Sequence, residues 1–213
     1  SWWDYGYASM FLNELPTLHD GGRQNTPSTH FFARALLSSQ QSEMVGILRF
    51  LAKKKHSDIN EFDSVSALEQ AWNSPIYGPL PDIYLVLTNQ MSSWMSSISK
   101  LGNWDIQNGK PLVISGKNEA SEVAYLNLNC QYSGFPETLH CGKRTFDIRF
   151  GLVNGIPDLI GWSHAKNGQT IRSLWFEPNG QMGLQTHQVG NKLMAHMMPQ
   201  QLFLSSFNSL FIF

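Results

Sequence analysis

The chain has 213 residues, of which 42% are hydrophobic and 15% charged, and its formal net charge is −1. These values are typical of one globular domain, or of a core with an inserted subdomain. The balanced charge argues against a nucleic-acid partner, which requires a basic surface. No stretch reaches the roughly 18 apolar residues that a membrane-spanning helix requires. The first residue is Ser1 and no signal peptide is recognisable, so we expect a piece of a longer protein.

An aromatic and acidic motif opens the chain, because residues 2–6 read Trp-Trp-Asp-Tyr-Gly. An indole donates one hydrogen bond, whereas an ionised carboxylate only accepts them. Two indoles beside a carboxylate can therefore hold a small hydroxyl group from both sides. Two alternatives stay open on the residues alone. The indoles can anchor a core, and Asp4 can cap a helix expected over residues 7–15.

The first hundred residues have the periodicity of helices. Met44, Ile47, Leu48 and Leu51 fall at i, i+3, i+4 and i+7, which predicts one apolar stripe on a helix. A shorter helix is predicted over residues 66–72.

A strand and a further helix are predicted next. Residues 83–87 are almost continuously apolar, which favours a buried strand. Residues 89–101 follow with a helical pattern.

Beyond Gly109 the pattern becomes that of short strands. β-branched and aromatic segments predict strands over residues 111–115, 123–128, 145–153 and 170–176. Asn-Gly pairs, which favour tight hairpin turns, occur at residues 154–155, 167–168 and 179–180. A helix is expected again near the end, with Phe203, Phe207 and Leu210 on one face.

These elements predict a mixed α/β (α+β) fold. We expect a predominantly helical core with a short buried strand, interrupted by a β-rich insert. The core domain is predicted to comprise residues 1–110 and 188–213, and the inserted subdomain residues 111–187.

Two cysteines, Cys130 and Cys141, bracket a segment that contains the turn formers Gly134 and Pro136. This spacing suits a disulfide between adjoining strands, as in an exported domain. The alternative is a pair of free thiols in a reducing compartment. A zinc site would need more ligands than His140 beside them supplies.

The remaining histidines show no ligand pattern. His187 and His196 lie nine residues apart around Gly190, and no acidic partner stands beside them. We therefore expect surface or core histidines and no metal in this chain.

The opening motif resembles the signature of the catalytic subunit of oligosaccharyltransferases, which glycosylate asparagine in Asn-x-Ser/Thr sequons. Three later segments resemble stretches of bacterial single-subunit enzymes: residues 17–22 (Thr-Leu-His-Asp-Gly-Gly), 30–32 (His-Phe-Phe) and 82–85 (Asp-Ile-Tyr-Leu). The resemblance identifies the chain as the C-terminal globular, periplasmic domain of such a subunit.

The resemblance also implies an acceptor-binding site. Trp2, Trp3 and Asp4 would hold the Ser or Thr hydroxyl of the sequon. Bacterial members place an apolar wall against the Thr methyl on a helix with a Met-x-x-Ile-x-x-x-(Ile/Val/Trp) motif.

Counting from residues 82–85 assigns this motif to Met91, Trp94 and Ile98, with Trp94 where Ile is usual. A second register begins at Met95 and ends at Leu101. As an alternative, the same residues can be a helical stripe that faces the core.

The reaction that the resemblance implies is glycan transfer from a lipid-linked oligosaccharide to the sequon Asn. It uses a divalent metal, Mg²⁺ or Mn²⁺, held by acidic residues of a membrane domain that would precede Ser1. We therefore expect no catalytic residue here and no activity of the fragment alone. The expected partners are the acceptor polypeptide and, through the membrane domain, the lipid-linked oligosaccharide. The expected location is the periplasmic face of the bacterial inner membrane.

Two other functions stay open. An exported carbohydrate- or peptide-binding module without catalysis would also suit exposed tryptophans, a β-rich insert and a disulfide. A catalytically idle homologue of the transferase is the second.

Overall fold

The computed structural model describes residues 2, 6–14, 16–19, 28–53, 65–74, 82–105, 107–111, 125–131, 138–176 and 179–211. The chain divides into two compact units, Ser1–Glu122 and Val123–Phe213. These two units are defined by compactness, so they do not test the predicted core domain and inserted subdomain, whose boundaries stay a prediction. No helix of the described residues is both long enough and apolar enough to cross a membrane.

The first unit is built from helices. Those in its described part are α1 (Gly6–Asn13), α2 (Ser28–Leu37), α3 (Gln41–Lys53), α4 (Val65–Asn73), α5 (Asn89–Ser93) and α6 (Met95–Gly102). A two-stranded antiparallel sheet follows, formed by β1 (Trp104–Asp105) and β2 (Lys110–Pro111). The helices predicted around Met44 and over residues 66–72 are confirmed as α3 and α4. The helix predicted over residues 89–101 is present, but it is divided at Trp94.

Helix α2 is the central element of the first unit, and all of its residues except Arg34 are buried. It packs closely against α6. A Cβ atom on Gly102 would lie 2.6 Å from Leu37 Cδ1 and 2.9 Å from the carbonyl carbon of Ala33, so only glycine permits this approach.

A buried hydrogen bond joins the same two helices, because His30 Nδ1–H donates to the carbonyl oxygen of Leu101 at 2.8 Å. Burial lowers the pKa of His30, which favours the neutral imidazole that makes this bond.

A charged network joins α2 to α3 and α4. The Arg34 guanidinium donates to Glu43 Oε1 at 3.0 and 3.1 Å and lies 2.8 Å from Glu69 Oε1. It also lies 5.1 Å from the centroid of the Trp72 ring. Ser38 donates to the other oxygen of Glu43 at 2.6 Å.

The buried strand predicted over residues 83–87 is wrong. Residues 82–88 form no helix or strand. Alternate side chains are exposed, with Tyr84 at 73% and Val86 at 49%. A buried strand forms only where a neighbouring strand can pair with it. An apolar run in the sequence does not show whether such a strand is present.

The second unit contains a nine-stranded sheet. Its strands are β3 (Leu126–Gln131), β4 (Thr138–Cys141), β5 (Arg144–Asp147), β6 (Leu152–Val153), β7 (Ile156–Pro157), β8 (Leu159–Lys166), β9 (Gln169–Trp175), β10 (Met182–Val189) and β11 (Lys192–Pro199). Their order is β7-β6-β5-β4-β3-β11-β10-β8-β9. Neighbours are antiparallel except β8 and β10, which run parallel.

This sheet overturns the predicted fold class. The chain is a mixed α+β protein with a large sheet, and not a predominantly helical core with one short strand. The prediction had no strand over β8, β10 or β11. Strand β8 is buried on both faces and so shows no alternation, while β11 is rich in Met, Leu and Ala, which favour helices in isolation.

One face of the sheet forms the core of the second unit. Its buried members are Leu139, Cys141, Phe146, Ile148, Leu159, Trp162, Leu184, Ala195 and Met197. Because residues of β4 and β5 share this cluster with residues of β8 and β10, the sheet curls around a single core. A disulfide joins Cys130 of β3 to Cys141 of β4, which are direct cross-strand partners.

Two of the three predicted Asn-Gly hairpin turns are confirmed. Residues 154–155 join β6 to β7, residues 167–168 join β8 to β9, and both residues of each pair have positive φ, as a type I′ turn requires. The third prediction is wrong, because Asn179 and Gly180 precede β10, which pairs with β8 and not with β9.

Two short helices end the described chain: α7 (Gln200–Phe203) and α8 (Ser206–Phe211). Phe203 lies over glycines of two neighbouring strands, since a Cβ atom on Gly161 or Gly183 would come 2.6 or 2.1 Å from its ring. Phe203 and Phe207 are buried, but Leu210 is 48% exposed, so the predicted common face is wrong for Leu210.

Candidate functional site

Trp2 lies in the interior of the first unit with only 3% of its surface exposed. Its ring meets His19 edge-on, with centroids 5.4 Å apart, and lies 6.2 Å from the ring of Phe32 on α2. His19 in turn stacks on Phe32 at 5.4 Å. The predicted aromatic motif therefore begins with a residue that is fixed to α2. The sequence analysis missed His19, although it lies in a segment that was noted for its resemblance.

Trp3 and Asp4 lie outside the described residues. Their predicted contact with an acceptor hydroxyl stays a prediction, as does the alternative that Asp4 caps a helix. The helix that follows them, α1, begins at Gly6 and ends at Asn13.

The three residues predicted for the apolar wall differ in exposure. Met91 and Ile98 are completely buried, as is Met95 of the alternative register. Trp94 is half-buried and stands between α5 and α6, with φ −95° and ψ 0°. Its N–H donates to the oxygen of Met91 at 3.1 Å and its oxygen accepts from Ile98 N–H at 2.9 Å. A tighter turn at Trp94 thus offsets α6 from α5.

Helix α2 supports both predicted halves of the site. Its residue Phe32 contacts Trp2, and its residues Ala33 and Leu37 lie against Gly102 of α6. A rigid helix that touches both elements restricts their relative position within the first unit. The buried side chains of α2 therefore position both Trp2 and α6.

The described residues do not fit the Mg²⁺ or Mn²⁺ ion that the resemblance implies. These ions prefer oxygen ligands, chiefly carboxylates. No group of three or more His, Cys, Asp or Glu side chains that could hold a metal ion occurs in the described part of the chain.

Two histidines that the sequence analysis kept apart lie together in the second unit. The rings of His187 on β10 and His196 on β11 have centroids 5.6 Å apart. Burial lowers the pKa of both imidazoles, that of His187 to about 4, where the charge of His196 adds to the effect. The signal that could have found this pair is Gly190, whose φ of 59° fits the first position of a type II′ hairpin turn.

Part of the chain is similar in sequence to known proteins. Residues 1–74 match the family model described as the STT3/PglB/AglB core domain. A dolichyl-phosphooligosaccharide-protein glycotransferase of Methanococcus voltae is 27% identical over 143 residues, which are 49% of this chain and 16% of that protein. A protein of the same name from Methanocaldococcus jannaschii is 35% identical over 51 residues, or 24% of this chain and 6% of that protein. The matches thus span less than a fifth of each relative's length.

A solved structure is similar over the whole chain. The C-terminal domain of C. jejuni PglB superposes with a TM-score of 0.58 at 14% identity, covering 100% of this chain and 83% of that one. At this identity the likeness concerns the fold. The chain thus has the fold of that C-terminal domain, and its residues 1–74 are similar to the STT3/PglB/AglB core domain.

Proposed function

We propose that this domain binds the Ser or Thr of an Asn-x-Ser/Thr acceptor sequon through Trp2, Trp3, Asp4, Met91, Trp94 and Ile98. The observation that carries the proposal is the family match over residues 1–74, which includes the Trp-Trp-Asp-Tyr-Gly motif. The full-length protein would transfer a glycan from a lipid-linked oligosaccharide to the Asn of that sequon. Its relatives' name, dolichyl-phosphooligosaccharide-protein glycotransferase, supports this activity.

The residues of the proposed site have different tasks. Trp2 is packed on His19 and Phe32, so its task would be to anchor the motif, and Trp3 and Asp4 would contact the acceptor. The Asp4 carboxylate would accept the hydroxyl proton and the Trp3 indole would donate to the hydroxyl oxygen.

On the second half of the site, Met91 and Ile98 are fully buried and set the shape of the helix pair. Trp94 is the member with solvent access, and it lies at the break between α5 and α6. Its indole would therefore form the wall against the Thr methyl. One buried methyl group contributes about 0.8 kcal/mol, so the wall adjusts the preference for Thr over Ser.

This division of labour has a physical reason. The amide nitrogen of Asn is a poor nucleophile, and fixing its position beside the glycan donor lowers the entropic part of the barrier. Gripping the hydroxyl two residues later fixes that position. The divalent metal would be held by acidic residues outside this chain, in a membrane domain, with the present domain on the periplasmic face.

The decisive experiment is an acceptor assay with the full-length protein and a peptide that contains Asn-x-Thr. We expect Asp4→Ala to lower kcat/KM about 10- to 150-fold, because a hydrogen bond to a charged group is lost. The matched control is Asp82→Ala, since Asp82 is an exposed carboxylate of the same unit. Near-normal transfer by Asp4→Ala would refute the role of Asp4.

Two further assays test the remaining parts of the proposal. Trp94→Ile should change the Thr-to-Ser preference by a few-fold, which corresponds to about 0.8 kcal/mol. The 213-residue chain alone should transfer no glycan with Mg²⁺ or Mn²⁺. Turnover by that chain would show that the chemistry does not reside elsewhere.

A further inference from the structure

The β10–β11 hairpin brings three nitrogen- and oxygen-bearing side chains onto one face of the sheet. A two-residue turn joins the strands, and the resulting register opposes Gln185 directly to His196. His187 lies two residues beyond Gln185 on β10. Directly opposed residues, and residues two apart on one strand, point to the same face. Gln185, His187 and His196 therefore form a triangle of neighbours.

The two imidazoles are within reach of a single ion. Their ring centroids are 5.6 Å apart, with the planes inclined at 61°. A metal ion bonded at about 2.0–2.1 Å to one nitrogen of each ring would lie roughly 3 Å from each centroid, which spans this separation. Both rings are half-buried, so an ion from solution can reach them.

A neighbouring strand fixes the orientation of one ring. His196 Nδ1–H donates to Asn127 Oδ1 of β3 at 2.7 Å, and the two residues are cross-strand partners. In this tautomer the lone pair of His196 is on Nε2. Histidines that bind metals are commonly oriented in this manner by a hydrogen bond from their other nitrogen.

Gln185 provides a second, independent indication of a ligand. Its side chain is completely buried, yet neither its amide oxygen nor its amide nitrogen has a hydrogen-bond partner among the residues that the structure describes. A buried polar group without a partner costs free energy, so most such groups are satisfied by a water or a ligand. An ion held by the adjacent imidazoles would satisfy the amide oxygen.

We propose that His187, His196 and the amide oxygen of Gln185 bind one borderline divalent transition-metal ion, such as Zn²⁺ or Cu²⁺. Two imidazole nitrogens with one neutral oxygen suit these ions and not Mg²⁺, which prefers carboxylates. The ion would tie β10 to β11 and stabilise the second unit by mass action. The site differs from the acceptor-binding site, and it departs from the expectation of no metal in this chain.

The test uses the full-length protein after removal of bound metals with a chelator. Zn²⁺ titration measures the number of ions bound, and Cu²⁺ electron paramagnetic resonance reports the coordinated imidazole nitrogens. The variants are His187→Gln, His196→Gln and the two combined. His140→Gln is the matched control, because His140 is an exposed histidine of the same sheet, near the hydroxyl of Thr145.

We expect the wild type and His140→Gln to bind one more ion than the double variant. Each single variant should lose the signal of one imidazole nitrogen and bind at least tenfold more weakly. Asn127→Ala should weaken binding about 10- to 100-fold without removing a ligand. The same number of ions in the wild type and the double variant would overturn the proposal, as would identical Cu²⁺ spectra. A Zn²⁺-dependent rise in Tm that the double variant lacks would support it.

Discussion

The two units of this chain are each stabilised internally by a different kind of interaction. The first consists of short helices gathered on α2, and side-chain contacts join them: the Arg34 network, the His30 hydrogen bond and the rings around Trp2. The second is one curled sheet in which backbone ladders join the strands over a single apolar core. In the first unit a change of one side chain can therefore move the elements that carry the proposed site. In the second unit a similar change in the apolar core should lower stability and leave the proposed acceptor site unaffected.

The largest expected effect comes from a matched pair of core truncations. Phe31 of α2 and Phe146 of β5 are both almost fully buried, at 1% and 0% exposure. Phe31→Ala and Phe146→Ala should each lower the free energy of unfolding by about 3–5 kcal/mol, because each leaves a cavity. Denaturant unfolding of the 213-residue chain measures this loss.

The same pair separates the two units in an activity assay of the full-length protein. Phe31→Ala should raise the KM for the acceptor peptide, since Phe31 neighbours Phe32, which contacts Trp2. Phe146→Ala should leave that KM unchanged. Equal shifts of KM in the two variants would contradict the view that the packing of α2 supports the acceptor site.

The units also differ in how far the sequence predicts them. Helices α3 and α4 follow from apolar residues at helical spacing, because each has one buried and one exposed side. Strands β8 and β10 do not. Strand β8 is buried on both faces, and on β10 the polar residues Thr186 and Gln188 follow Met182 and Leu184 on the same face, so neither strand alternates clearly. Such a strand forms because it packs and pairs with the adjacent strands of the sheet, and the local sequence does not show which strands these are.

The proposed sites are likewise only partly visible in the sequence. The motifs at residues 2–6 and 91–98 are contiguous and visible in the sequence. The contacts of Trp2 with His19 and Phe32 are not, because they join segments that are far apart in the chain. The pair His187 and His196 becomes visible only when the hairpin register is known.

A smaller effect is expected for the disulfide, which only the second unit has. Replacing Cys130 and Cys141 together by Ala should lower the free energy of unfolding by about 2–3 kcal/mol, because the unfolded chain then loses a short closed loop. Thermal unfolding of the chain measures it. The wild type in reductant is the control and should unfold at nearly the temperature of the double variant. No difference between oxidised and reduced wild type would mean that the backbone ladder between β3 and β4 suffices.

The smallest expected effect concerns the charged network of the first unit. Arg34→Met removes the guanidinium that Glu43 and Glu69 share, but these side chains are 29%, 23% and 40% exposed. Water screens such pairs, so we expect a loss of about 1 kcal/mol or less, which decreases at high salt. Arg49→Met is the control, since Arg49 is an exposed arginine on α3 and should have no measurable effect. Because Arg34 also packs over Trp72, a loss that persists in high salt would assign its contribution to the ring contact instead of the carboxylates. A loss that disappears in salt would show that the charge of Arg34 helps to hold α3 and α4 against α2.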